Sequence, residues 1–157
     1  MSRFSKWTKW GNRTTLKGLN YSGVYCLAIS EKDLTNEDFD WIGEIRYVGM
    51  TNGRTGLKGR LTQFDNTIKG KSGHGGADRF LFKHQNYQEL IAKLFVSVSY
   101  FECDVKSNSP KDLLIMGEVA KFEYVCFAEY AKRFNRLPEF NDKPNSPKYS
   151  IMERKRK

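Results

Sequence analysis

The sequence predicts an α+β domain: a small three-stranded antiparallel sheet flanked by helices. Three observations predict it. Three short runs (22–30, 44–50 and 94–101) are rich in β-branched and aromatic residues and read as strands. The first two are close enough in sequence to pair antiparallel through the loop between them. Longer stretches with helical signals follow the second and third runs.

Each element has its own reason. Strand 22–30 alternates, placing Tyr25, Leu27 and Ile29 on one face. An acidic, turn-rich stretch (31–44) leads into strand 44–50. The run TNGRTG (51–56) is a loop by its turn residues, and a short helix over 57–64 starts after it. Residues 65–76 are polar and glycine-rich and read as a mobile surface loop. A helix is expected over 78–92, then strand 94–101. Ser or Asn before Pro110 starts a long helix that runs to about Asn135 and is stopped by Leu137-Pro138. The order is β, β, α, α, β, α.

At 157 residues the chain is one domain with a real core. No apolar run is long enough to span a bilayer, and the basic N-terminus is followed by no apolar signal core, so a cytoplasmic protein without a membrane partner is expected. Cys26, Cys103 and Cys126 lack metal or disulfide spacing and read as small hydrophobes.

The net charge of +9 is uneven. Arg3, Lys6, Lys9, Arg13 and Lys17 load an arm over residues 1–21, and Lys143, Lys148, Arg154, Lys155, Arg156 and Lys157 load a tail over 143–157. The body over 22–142 is close to neutral. Two basic arms suit a polyphosphate partner, since each neutralised phosphate releases counterions. Trp7 and Trp10 are expected to pack the first arm onto the body.

On a helical wheel, Met116, Val119, Ala120, Cys126, Phe127, Tyr130 and Phe134 share one face of the long helix, and Glu123 falls in its middle. A carboxylate there needs a counter-charge or a metal. A buried salt bridge and a metal ligand are both open readings.

These residues acquire a context together. The strands carry Gly23-Val24-Tyr25 and Tyr47-Val48-Gly49, the next helix carries Arg60, the last carries Glu123, and Pro138-Glu139-Phe140-Asn141 follows. Over about 22–142 the chain resembles the GIY-YIG nuclease family. The resemblance implies that family's fold and a metal-dependent DNA endonuclease. Tyr25 would be the general base, its pKa lowered by a nearby cation. Tyr47 would be its support, Arg60 the grip on the scissile phosphate and Glu123 the ligand of one divalent ion, most simply Mg2+. Asn141 would hold the site together. No small-molecule cofactor is implied. Lys58, Lys69, Lys71 and His74 are the surface candidates for DNA contacts.

The chain departs from the family pattern in four places, one of them a gap from Gly49 to Arg60 that is longer by roughly one turn's worth of residues. Residues 31–44 are an insertion. Phe64 stands where the family places His or Tyr, and His74 is a candidate substitute. By spacing to Asn141, Glu129 fits the metal position better than Glu123, whereas the side-chain surroundings favour Glu123; Glu118 is a third alternative. The small stand-alone restriction endonucleases of the family match best, with a homodimer needed to cut both strands. A structure-directed nuclease and a non-catalytic DNA-binding module on the same fold are the alternatives.

Overall fold

A strand with neighbours on both edges and helices on both faces has to be apolar almost throughout, and β2 (Ser22–Ile29) meets that condition, with every residue but Ile29 buried. In the computed structural model, which describes residues 3–151, β2 lies between β3 (Ile45–Thr51) and β4 (Leu94–Phe101), antiparallel to both. The Tyr25, Leu27 and Ile29 face packs under α1 (Gly56–Ile68), α2 (Gly75–Lys83) and α3 (Tyr87–Lys93). Val24, Cys26 and Ala28 face the other way, toward α4 (Pro110–Phe134). The free cysteines Cys26 and Cys126 meet in this second core.

The sheet has four strands, where the sequence predicts three. The extra strand, β1 (Thr8–Lys9), comes from the basic arm and pairs with β4, giving the order β1-β4-β2-β3. An open β4 edge would leave backbone groups unpaired. The arm covers it, and the Ser5 amide adds a bond to the Val98 carbonyl at 2.8 Å. Trp7 then enters the α4-side core and Trp10 the α1-side core. Both tryptophans are fully buried, so the arm is clamped from the two faces of the sheet.

Asp65 makes the clamp specific. It is nearly buried, and accepts hydrogen bonds from Trp10 Nε1 and Tyr87 Oη, each at 2.8 Å. Lys69 Nζ lies 2.8 Å and Arg13 3.4 Å from its other oxygen. Burial pushes its pKa up, but the hydrogen bonds from Lys69, Trp10 and Tyr87 and the Arg13 charge outweigh that and hold it low. One carboxylate therefore ties the arm, α1 and α3 together.

Two other expectations are corrected, and the insertion finds its place. Helix α1 runs four residues past Phe64 to Ile68, because Asp65, Thr67 and Ile68 find buried partners, so the loop expected over 65–76 shrinks. The helix expected over 78–92 is two helices, broken at His84 and restarted where Asn86 caps the Glu89 amide. Insertion 31–44 is part of the second core, where Phe39 stacks on Phe4 and Trp7. Helix α4 starts where its cap signal places it, with Ser109 accepting from the Asp112 amide, and ends at Asn135 in the left-handed region (φ 54°).

The start of the basic tail docks on α2. The Arg79 guanidinium donates to the Ser146 carbonyl, and Ser150 bonds Asp78 through both its amide and its hydroxyl. The run Arg154, Lys155, Arg156 and Lys157 lies outside the described residues. No helix of the described residues is long and apolar enough to cross a membrane.

Trp10→Ala removes a buried indole and the Asp65 bond together. It is expected to lower the free energy of unfolding by about 3–5 kcal/mol, measured by urea titration.

Candidate functional site

Tyr25 is 0% exposed, and a phenol that deep needs a partner for its hydroxyl. The partner is His74, whose Nε2 lies 2.8 Å from Tyr25 Oη. His74 is the N-cap of α2, and its Nδ1 accepts a hydrogen bond from the Ala77 amide at 3.1 Å. An amide can only donate, so the ring proton sits on Nε2, and His74 donates to Tyr25. Burial and the Arg60 charge push the His74 pKa down to about 3, so the ring is neutral at physiological pH. The sequence suggested a surface DNA contact for His74. The structure puts it inside, 1% exposed, with its ring edge-on to Phe64 at 5.1 Å.

Two glycines make room for the aromatic pair. A Cβ at Gly49 would overlap the hydroxyl end of Tyr25, and one at Gly76 would overlap the Tyr47 phenol. Gly49 lies opposite Tyr25 in the β2–β3 register, so the tyrosine ring is laid across the facing backbone. The ring centroids of Tyr25 and Tyr47 are 6.1 Å apart.

Arg60 leaves the flank of α1 toward this pair. Its Nη1 donates to Gln63 Oε1 at 2.6 Å, while its Nε is buried without a partner among the described residues. Its charge is felt by every other ionisable group of the cluster. It pulls down the pKa of Tyr25, Tyr47 and Glu123 and disfavours a charge on His74.

Glu123 reaches the cluster from the other face of the sheet, around the edge strand β3. The residues of α4 turned to the core are Ile115, Val119, Phe122, Cys126, Phe127, Tyr130 and Phe134. Ala120 is exposed, and Glu123 stands half-buried within that stripe, one helical turn from both Val119 and Phe127. No ion pair within 4.0 Å joins it to a described residue, so no described residue supplies the buried salt bridge. Burial raises its pKa, while Arg60 and Lys143 pull it down. Its charge in turn raises the pKa of Tyr25 and Tyr47. Glu129 lines a separate aromatic pocket with Phe4, Trp41 and Arg133, and Glu118 is exposed.

Asn141 sits in the short 3-10 turn Glu139–Asn141 beside β3. Its side chain accepts from the Val48 amide and donates to the Val48 carbonyl, both at 2.8 Å. The carboxamide thus pairs with the strand edge as another backbone would, one residue from Tyr47 and Gly49.

Of the expected site residues, Tyr25, Tyr47, Arg60, Glu123 and Asn141 come together around the β3 edge. The surface lysines do not join them. Lys69 is engaged by Asp65, Lys71 is exposed in the shortened loop, and Lys58 leaves α1 on the flank away from Arg60. The expected lowering of the Tyr25 pKa is also corrected. Burial and the neighbouring Tyr47 outweigh Arg60, and the phenol titrates well above its ordinary value.

No protein-family model, no curated protein and no solved structure matches the chain.

The buried neutral His74 has a measurable consequence. Unfolded histidine protonates below about pH 6.5, whereas folded His74 stays neutral to about pH 3. Its contribution to stability is complete above the unfolded pKa and is lost as pH falls through the interval, by up to about 1.4 kcal/mol per pH unit. In urea titrations between about pH 5 and 6.5, His74→Gln is expected to show a shallower fall in stability than the unaltered protein.

Proposed function

We propose that the chain is a metal-dependent DNA endonuclease. The observation that carries this reading is the meeting of two tyrosines, a neutral histidine, an arginine and an unpaired carboxylate at one strand edge. They come from five separate segments, and the charge of Arg60 acts on all the others. A phosphodiester needs a polarised water, charge neutralisation on its non-bridging oxygens and a stabilised leaving oxygen, and these residue types supply that chemistry. The resemblance to the GIY-YIG nucleases assigns the same residues.

Arg60 has the charge and the fork geometry for a phosphate. A bound phosphate would take up donors that the protein leaves unused, as with the buried Nε. Tyr25 accepts from His74, so its own hydrogen is free to turn toward Tyr47. In this reading Tyr25 takes the proton of the attacking water after ionising. Burial opposes that ionisation, and Arg60 favours it. Tyr47 supports Tyr25, and Asn141 fixes the strand edge that carries Tyr47.

The donor set suits magnesium, which is held by one or two carboxylates with water and substrate phosphate completing the shell. Glu123 is the half-buried carboxylate that fits. An ion held there would supply Lewis-acid stabilisation of the leaving oxygen. Each site cuts one strand, so a double-strand cut takes two copies of the chain. The basic segments that flank the body favour a sequence-specific, restriction-type enzyme.

Incubation with linear plasmid is expected to give discrete bands with magnesium and none with EDTA. A smear would indicate a structure-directed or non-specific nuclease. Salt-sensitive DNA binding without cleavage would indicate a binding module. Glu123→Gln is expected to abolish cleavage and leave a gel shift intact; cutting at the normal rate would remove Glu123 from the mechanism.

Tyr25→Phe is expected to slow cleavage about 10²–10⁴-fold. In Arg60→Gln the rising limb of the pH–rate profile should move to higher pH, because Tyr25 loses the charge that lowers its pKa. An unmoved limb, in an Arg60→Gln variant that still cuts, would exclude Tyr25 as the base.

A further inference from the structure

Helix α1 is basic on a second flank. Lys58 and Arg60 are two residues apart, about 200° around a helix, so they leave α1 in opposite directions. Arg60 turns to the candidate site. Lys58 joins Thr55 and Thr62 on one wall of an open groove of about 690 Å³. Arg54, from the β3–α1 loop, and Lys106, from the β4–α4 connection, complete the positive lining, with Asn20 beside them.

Three cations from three segments thus converge, and no carboxylate of the described residues lines the groove. All three are exposed, and none makes an ion pair with a described residue. Elsewhere on the protein exposed lysines do find acids, as Lys32 finds Glu37 and Lys93 finds Glu31. The amides at the start of α1 do not contribute, because Leu57 and Lys58 donate theirs to the Tyr21 and Leu19 carbonyls. The positive character belongs to long, flexible side chains, with the short polar Thr55, Thr62 and Asn20 between them. Such a set fits a charged, regular polyanion rather than a shaped small molecule.

We propose that this groove holds a second backbone phosphate of duplex DNA, on the far side of α1 from the scissile one. The inference rests on the nuclease reading above. It makes α1 a ridge on the DNA, with phosphates gripped on both flanks about one helix diameter, ~10–12 Å, apart. The grip is sequence-independent, so it positions the duplex and reads no base.

The test is DNA affinity as a function of salt, in the Glu123→Gln background so that DNA is not consumed. Lys58→Gln and Lys106→Gln are compared with Lys132→Gln, which removes the same charge from an exposed position near the end of α4. For each groove variant the slope of log K against log salt is expected to shrink by about 0.9 for every phosphate the protein no longer neutralises. The drop in affinity should be equal on unrelated duplex sequences, and Lys132→Gln should keep the parental slope. Parental slopes in both groove variants, with DNA binding intact, would overturn the groove and leave the nuclease reading standing. Slopes that shrink equally in all three variants would also overturn it, since net charge rather than the groove would then be responsible. No salt-sensitive binding by the parent would overturn both.

Discussion

The buried hydroxyl of Tyr25 is the constraint on which the site is built. A phenol at 0% exposure is tolerable only if its oxygen is hydrogen-bonded and its ring fits the space around it. The first demand fixes His74, and through the Ala77 amide it fixes where α2 begins. The second demand fixes Gly49, since the strand facing Tyr25 has to present bare backbone. Tyr47, Gly76 and Phe64 then pack around the same centre. A histidine held neutral and locked in one tautomer is a dependable donor, and burial is what makes it dependable.

Around that neutral centre stand opposed charges that the protein does not pair off completely. Arg60 keeps an unbonded Nε, and Glu123 lacks an ion-pair partner among the described residues. Asp65, by contrast, is saturated by four donors and is purely a fastening. The two carboxylates illustrate how environment separates structural from chemical use. One has its pKa held down by partners, the other has it raised by burial.

The basic arm shows the same division. Its cations suggested a polyanion, but its two tryptophans decide its position, one in each core, and its backbone closes the β4 edge as a fourth strand. Arg13 is spent on Asp65. A positive segment can thus be a structural part of the sheet and still leave other cations for a ligand.

The sequence by itself determined what is local. Strand 94–101 and the start of α4 follow from β-branched residues and a Ser-Pro cap, and β2 from its alternation. Tyr25, Tyr47, Arg60, Glu123 and Asn141 were legible as candidates because their order along the chain resembles a family pattern. Only the tertiary structure decided the rest. Histidine is a poor N-cap by propensity, and Gly-His-Gly-Gly reads as a loop. The bond from His74 to Tyr25 spans 49 residues and has no local signature. Strand β1 is two residues long and exists only because the β4 edge needs a partner. That Glu123 rather than Glu129 stands near the two tyrosines depends on which side of α4 faces them. That is set by how the helix packs on the sheet, and a helical wheel gives the spacing of side chains but not the direction in which the helix faces.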